Sequence, residues 1–219
     1  MSDTSIKNLL ICTIMRNARP HLDTWYGQLV QLRNILTIQG WTSLVSVAEN
    51  DSTDGTAEWL REMASHTSDL IVSTDTLGTQ QYGSIWDVQR LKQLAAARQK
   101  CLTQVGDLSR FSKIAYIEPD VTYNPEWCSE LIFANHPCAA GLGDPDIYSG
   151  WSLRSESHPK ESVFLYDTCV TRQTAQDTCW NFPVEGAWRD ASLIQTNLGG
   201  FNNNCLHQVW STFNGFCVY

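Results

Sequence analysis

Short apolar runs alternate with stretches of helical periodicity through the first 117 residues, and this alternation limits the possible folds more than any other feature. Residues 9–15 (LLICTIM), 41–48 (WTSLVSVA), 70–73 (LIVS) and 114–117 (IAYI) read as strands. They are short, apolar and rich in β-branched or aromatic residues. Between the first two, Leu22, Trp25, Leu29, Leu32, Ile35 and Leu36 recur at helical spacing, which predicts a helix over 22–38. A second helix is expected from Thr56 through Met63. A third is expected over 90–105, with an apolar face at Leu91, Leu94, Ala95, Arg98 and Leu102. A strand–helix–strand unit implies parallel strands joined by a right-handed crossover. The expected architecture is therefore α/β: a mixed, mainly parallel sheet flanked by helices, with ligands at the C-terminal strand ends.

Composition narrows the partners. A net charge of −8 and no Lys- or Arg-rich cluster argue against a nucleic-acid backbone. The apolar run at 9–15 is too short for a signal-peptide core, and nothing approaches a membrane span, so a soluble, cytoplasmic protein is expected. The eight cysteines include no CxxC pair. That spacing argues against a thiolate zinc site and favours buried free thiols. The length of 219 residues suits one compact domain.

Polar clusters fall at the strand ends, and a parallel sheet would bring them to one edge. Arg16 and Asn17 follow the first strand, and ENDSTDGT (49–56) follows the second. Within it, Asp54 or Thr53 is placed to cap the helix beginning near Thr56. Residues 78–83 form a polar, glycine-containing loop. The fourth strand runs into Glu118-Pro119-Asp120, where proline ends the ladder and two carboxylates stand at the tip. Hard divalent cations take such oxygen ligands and keep positions for waters and substrate phosphates. A helix-capping role for one carboxylate is the alternative. Arg98 sits among alanines, so it either snorkels or aims into a site.

After Cys138 the alternation stops. Strands are expected at 139–142 and 162–166, with Asp167 at the end of the latter. Tyr148, Trp151, Trp180 and Trp188 suit stacking on sugar rings, though ordinary core and surface burial is the better explanation for any one of them. LGGFNNNCLHQ (198–208) reads as a loop leading into His207, which is placed as a metal ligand or a satisfied core histidine.

These residues resemble a known family. The strand followed by Arg-Asn, then ENDSTDGT, then LAAAR (94–98), then the strand with EPD, look like a GT-A fold (Rossmann-like) glycosyltransferase. ENDSTDGT is similar to the nucleotide-holding Asp-Asp-x-Ser-x-Asp-x-Thr loop, and EPD to the Asp-x-Asp metal motif with Glu in the first place. YDTCVTR (166–172) and, loosely, STFNG (211–215) are similar to segments of fungal capsule-associated α-1,3-mannosyltransferases. The resemblance implies one GT-A domain over 1–219, with a nucleotide-sugar half (1–125) and an acceptor half (126–219). It implies Mn²⁺ or Mg²⁺ on Glu118, Asp120 and His207. It implies a nucleoside diphosphate sugar, GDP-mannose or UDP-hexose, near Thr13, Arg16, Glu49, Asn50, Asp51 and Arg98. It also implies Asp167 and Glu185 as catalytic carboxylates, a carbohydrate acceptor and retention of configuration. Two alternatives stay open. One is a nucleotidyltransferase, although the turn after the first strand lacks the glycine-rich loop such enzymes use. The other is a non-catalytic glycan- or nucleotide-sugar-binding protein.

Overall fold

The computed structural model describes residues 7–82 and 88–133 and the backbone of four short strands beyond them. The chain divides into two compact units, residues 1–132 and 133–219.

In the first unit, strands β1 (Asn8–Met15), β2 (Thr42–Asn50), β3 (Leu70–Asp75) and β4 (Lys113–Ile117) alternate with helices α1 (Leu22–Ile38), α2 (Thr56–His66) and α3 (Val88–Thr103). Helix α4 (Pro125–Phe133) follows β4. The strands lie in the order β3-β2-β1-β4, and every pairing is parallel. β1 is the central strand, and Leu9, Leu10, Ile11 and Cys12 are wholly buried. A strand covered on both faces has no need to alternate apolar with polar, which explains the unbroken run LLICTIM.

Helix α3 packs across β1 and β2. On that face Leu10, Cys12, Ala48, Cys101 and Val105 form one buried cluster, with Ile14, Leu44, Leu102, Ile114 and Tyr116 against it. Three hydrogen bonds run through it. The Ser46 hydroxyl donates to the Cys101 carbonyl (2.6 Å), the Gln104 amide donates to the Ser46 hydroxyl (2.6 Å), and the Cys101 thiol donates to the Thr13 carbonyl (3.3 Å). Cys12, Cys101 and Cys128 are buried and free, as expected for thiols acting as small hydrophobes. Helix α1 buries Leu22, Trp25, Leu29, Leu32 and Leu36, the stripe its spacing predicted.

Two expectations shift. Strands β2 and β3 run further than their apolar cores, through the pairs Glu49↔Thr74 and Asn50↔Asp75. Ladder hydrogen bonds continue there regardless of side-chain polarity, so Glu49 and Asn50 are strand residues and not loop. Among the described residues, the deeply buried positions of α3 and its C-terminal end are Cys101 and Val105, with Leu102 packed against the same cluster, whereas Ala95 is exposed, so the packed face takes in a cysteine that the expected face left out.

In the second unit, β5 (Tyr148–Ser149) pairs antiparallel with β8 (Phe216–Val218), and β6 (Leu153–Ser155) pairs antiparallel with β7 (Val163–Leu165). The expected strand at 162–166 is thus present as β7, and that at 139–142 lies outside the described residues. Among the described residues, no helix is long and apolar enough to cross a membrane.

Helix α1 offers a contrast that urea denaturation can read. Leu36 is fully buried and Ile38 is 81% exposed. Leu36→Ala is expected to destabilise the fold by about 2–5 kcal/mol through the cavity it leaves. Ile38→Ala is expected to stay within about 0.5 kcal/mol of the parent.

Candidate functional site

Parallel pairing in register places the tips of all four strands on one edge. Met15 stands beside Glu49, and Asn50 beside Asp75. The loops after β1, β2 and β3 and the Glu-Pro-Asp turn after β4 leave from this edge.

The loops after β1 and β2 are laced together. The Asn17 amide donates to the Ser52 hydroxyl (2.8 Å), and the Thr53 amide donates to the Asn17 side-chain oxygen (2.9 Å). The Ala18 amide donates to the Thr56 hydroxyl (2.9 Å), and the Arg19 amide donates to Asp54 Oδ2 (2.9 Å). Asp54 Oδ1 accepts from the Thr56 amide (3.1 Å) and hydroxyl (2.6 Å), at the start of α2. The N-cap itself is Gly55, in a left-handed conformation (φ 90°) and without a side-chain cap, so the cap expected of Asp54 or Thr53 is replaced by a turn in which Asp54, one residue earlier, accepts from Thr56. Ser52, Asp54 and Thr56 are therefore committed to loop architecture. Asn17 has a left-handed backbone (φ 50°), a conformation asparagine tolerates better than most residues.

Asp51 is the second hub. Its backbone is also left-handed (φ 56°), and its amide donates to the Asp75 carbonyl. Its carboxylate Oδ1 accepts the amides of Leu77 (2.8 Å) and Gly78 (2.9 Å). Oδ2 accepts the Thr79 amide (2.9 Å), the Thr79 hydroxyl and the Asn50 side-chain amide (3.1 Å). The Thr79 hydroxyl, followed by the Thr79 amide, holds the Asp51 carboxyl well below the usual carboxylate range. Gly78 has φ 61°, so the turn that aims three successive amides at one carboxylate favours a residue without Cβ. Arg16 reaches the same loop from the tip of β1. Its Nη2 donates to the Thr79 carbonyl (2.9 Å), and Nη1 donates to the Thr79 hydroxyl (3.2 Å) and the Gln80 carbonyl (3.3 Å). The loop after β3 thus folds back across the tip of β2 toward β1.

At the tip of β4, Glu118 Oε1 accepts from Arg98 Nη2 at 2.9 Å. The two side chains are 35% and 24% exposed. Burial pushes the Glu118 carboxyl above its ordinary range; the Arg98 guanidinium pulls it down, and the charge of Asp120 adds to the rise. Tyr116 donates its hydroxyl to the Arg98 carbonyl (3.3 Å), fixing the turn of α3 that carries this arginine. Asp120 is exposed.

The structure gathers Arg16, Asn50, Asp51, Arg98, Glu118 and Asp120 at one edge. Glu49 lies there too, but it is buried, and its Oε1 accepts the Ser52 amide (2.9 Å). Thr13 sits two residues below the β1 tip, 1% exposed, with no partner for its hydroxyl among the described residues. Asp167, Glu185 and His207 lie outside the described residues. Among the described residues, no three His, Cys, Asp or Glu side chains are grouped closely enough to hold a metal ion. Glu118 and Asp120 alone still suit Mg²⁺ or Mn²⁺, which bind through one or two carboxylates and complete their shell with waters and phosphates. Thr79 was not singled out by its sequence context; its only signal was its place in a glycine-containing loop after a strand.

The protein family described as Cryptococcal mannosyltransferase 1 matches this chain over residues 8–218. No curated protein matches it significantly.

Two outcomes follow from the lacing and the hub. Thr56→Val removes a hydroxyl that is fully buried and shared by Ala18 and Asp54. It is expected to destabilise by about 1–3 kcal/mol, read by thermal or urea unfolding, because a buried amide is left unpaired. Asp51 has a depressed folded pKa, so its contribution is complete above its unfolded value of about 4 and is lost as pH falls through the lower folded value. Amide exchange at residues 77–79, corrected for intrinsic rates, is expected to stay protected at pH 5 and to lose protection only well below pH ~4. Protection that is lost between about pH 6 and 5 would contradict the Asp51 anchor.

Proposed function

Since the chain belongs to the family described as Cryptococcal mannosyltransferase 1, we propose that it is a GT-A type hexosyltransferase. It moves mannose, or another hexose, from a nucleoside diphosphate sugar to a hydroxyl of a carbohydrate acceptor. The observation that carries this reading, beside the family, is the acidic turn at the β4 tip. Glu118 is held there by Arg98 at the same edge as the polar tips of β1 and β2. The family's description names mannose transfer, and GDP-mannose is the donor proposed on that basis, with UDP-hexose the second.

In the reaction the bond between the anomeric carbon and the β-phosphate oxygen breaks, and the electron pair leaves with the diphosphate. The acceptor oxygen bonds to the anomeric carbon, and its proton goes to a carboxylate or to the departing phosphate. Glu118 and Asp120 would hold Mn²⁺ or Mg²⁺, with His207 as the further ligand, and such an ion would offset the charge growing on the leaving group. Arg98 orients Glu118 by donating to its Oε1. Arg16, Asn50 and Asp51 shape the nucleotide side, with Thr13 and Glu49 beneath it. Asp167 or Glu185 would flank the anomeric carbon, as nucleophile or as stabiliser of the oxocarbenium-like state in a retaining reaction.

Asp120→Asn separates this reading from a structural role for the turn. Asp120 is exposed, so stability should change by no more than about 0.5 kcal/mol. Mn²⁺-dependent release of GDP or UDP from the sugar donor should fall by about 10²-fold or more. Undiminished release, with or without chelator, would remove the metal role from the turn.

A further inference from the structure

The five hydrogen bonds at Asp51 have a consequence for donor recognition. A carboxylate offers about four lone-pair sites. Those of Asp51 are filled by the amides of residues 77, 78 and 79, the Thr79 hydroxyl and the Asn50 amide. Little acceptor capacity remains for a ribose hydroxyl or a base N–H. The terminal nitrogens of Arg16 are likewise turned onto the Thr79 and Gln80 carbonyls. Asp51 and Arg16 therefore grip the loop after β3, and the loop stands between them and a ligand at the edge.

What the loop presents outward is then set by subtraction. The amides of 77, 78 and 79 and the carbonyls of 79 and 80 all turn inward to Asp51 and Arg16. Of the exposed residues Thr76, Leu77, Gly78 and Gln80, Leu77 is the large apolar one, 63% exposed, on a backbone fixed by its own amide at 2.8 Å. A large apolar side chain held in water at a strand-tip edge by an anchored backbone is suited to covering a flat apolar face. Nucleobases offer one.

We propose that residues 77–80 form the base-side rim of the donor pocket, that Leu77 packs on the face of the donor nucleobase, and that Asp51 is the positioning residue that holds it there. This rests on the glycosyltransferase reading and assigns its nucleobase contact. It makes Asp51 act through the loop instead of touching the donor.

The test compares wild type, Leu77→Ala, Leu77→Phe and Asp51→Asn in three measurements. These are Mn²⁺-dependent binding of GDP and UDP by calorimetry, donor KM and kcat, and amide exchange at residues 77–79. Leu77→Ala should weaken binding of the preferred nucleotide about fivefold and raise donor KM more than it lowers kcat. Leu77→Phe should recover the affinity, because a ring also covers a base. Asp51→Asn should accelerate exchange at 77–79 without ligand and weaken nucleotide binding, because an amide group in place of one oxygen faces donors with a donor. Unchanged nucleotide affinity in Leu77→Ala overturns the base contact. Faster exchange in Asp51→Asn with unchanged affinity overturns the positioning role. Wild type that binds neither nucleotide overturns the functional reading and this assignment with it. Wild-type binding with an indifferent Leu77→Ala overturns the assignment alone.

Discussion

Everything at the candidate site depends on the in-register parallel pairing of β1 with β2 on one side and β4 on the other. Parallel strands finish on the same side of a sheet, so residues distant in sequence become neighbours without any specific contact having to bring them together. Arg16, Asn50 and Glu118 share an edge for this reason alone. The pairing is in turn secured by burial. From Leu9 the central strand has no polar side chain other than a thiol before Thr13, and α3 closes one face over Leu10 and Cys12. A slip of one residue would turn Leu9 and Ile11 to the face of α3 and disrupt both layers at once.

The edge itself is less comfortable than the core, and its hydrogen bonds compensate locally. Two non-glycine residues, Asn17 and Asp51, hold left-handed backbones directly after β1 and β2. Such conformations cost on the order of 1 kcal/mol each and persist where the surroundings over-determine them. Here the surroundings do so. Asn17 is bonded through both its amide and its side chain to the neighbouring loop, and the Asp51 carboxylate gathers a second loop. The strained residues are the ones whose side chains do the gathering. The edge is thereby made rigid where a ligand would need a fixed partner.

This division explains what could be read from the sequence. Helix α1 and the four parallel strands were legible because burial imposes periodicity, and periodicity is local. That Asp54 serves the start of α2 was legible because its target, Thr56, lies two residues away, but the cap position fell to Gly55, whose left-handed backbone a side-chain cap reading does not anticipate. The partners of Asp51 and Arg16 were not, since Thr79 is 28 and 63 residues distant. ENDSTDGT reads as a ligand loop in the sequence, yet Ser52, Asp54 and Thr56 direct their hydrogen bonds to the neighbouring loop. A polar motif of this kind records the demands of loop architecture and of ligand binding together, and only geometry separates them. Cys101 was missed from the face of α3 for a related reason. Cys101 is as buried as any leucine but carries little weight in a pattern of apolar residues.

Charge constrains how the proposed donor can bind. The protein carries a net charge of −8, and a nucleoside diphosphate adds negative charge of its own. Cations at the strand tips are balanced by neighbours. Arg98 faces Glu118 at 2.9 Å, Lys100 faces Asp75 at 3.4 Å, and Arg16 shares the Thr79 hydroxyl with Asp51. A diphosphate approaching this edge would meet Arg98 already paired with a carboxylate and Arg16 with its terminal nitrogens already engaged by the Thr79 and Gln80 carbonyls. Positive charge arriving with the donor would change that balance, and a divalent ion is the form that two neighbouring carboxylates attract. On the proposed reading, Glu118 and Asp120 would hold such an ion and so supply the positive charge that a diphosphate requires at this edge. Arg98 then acts in two ways. Its charge favours the ionised form of Glu118 at a half-buried tip, and its hydrogen bond fixes the position of Glu118 Oε1.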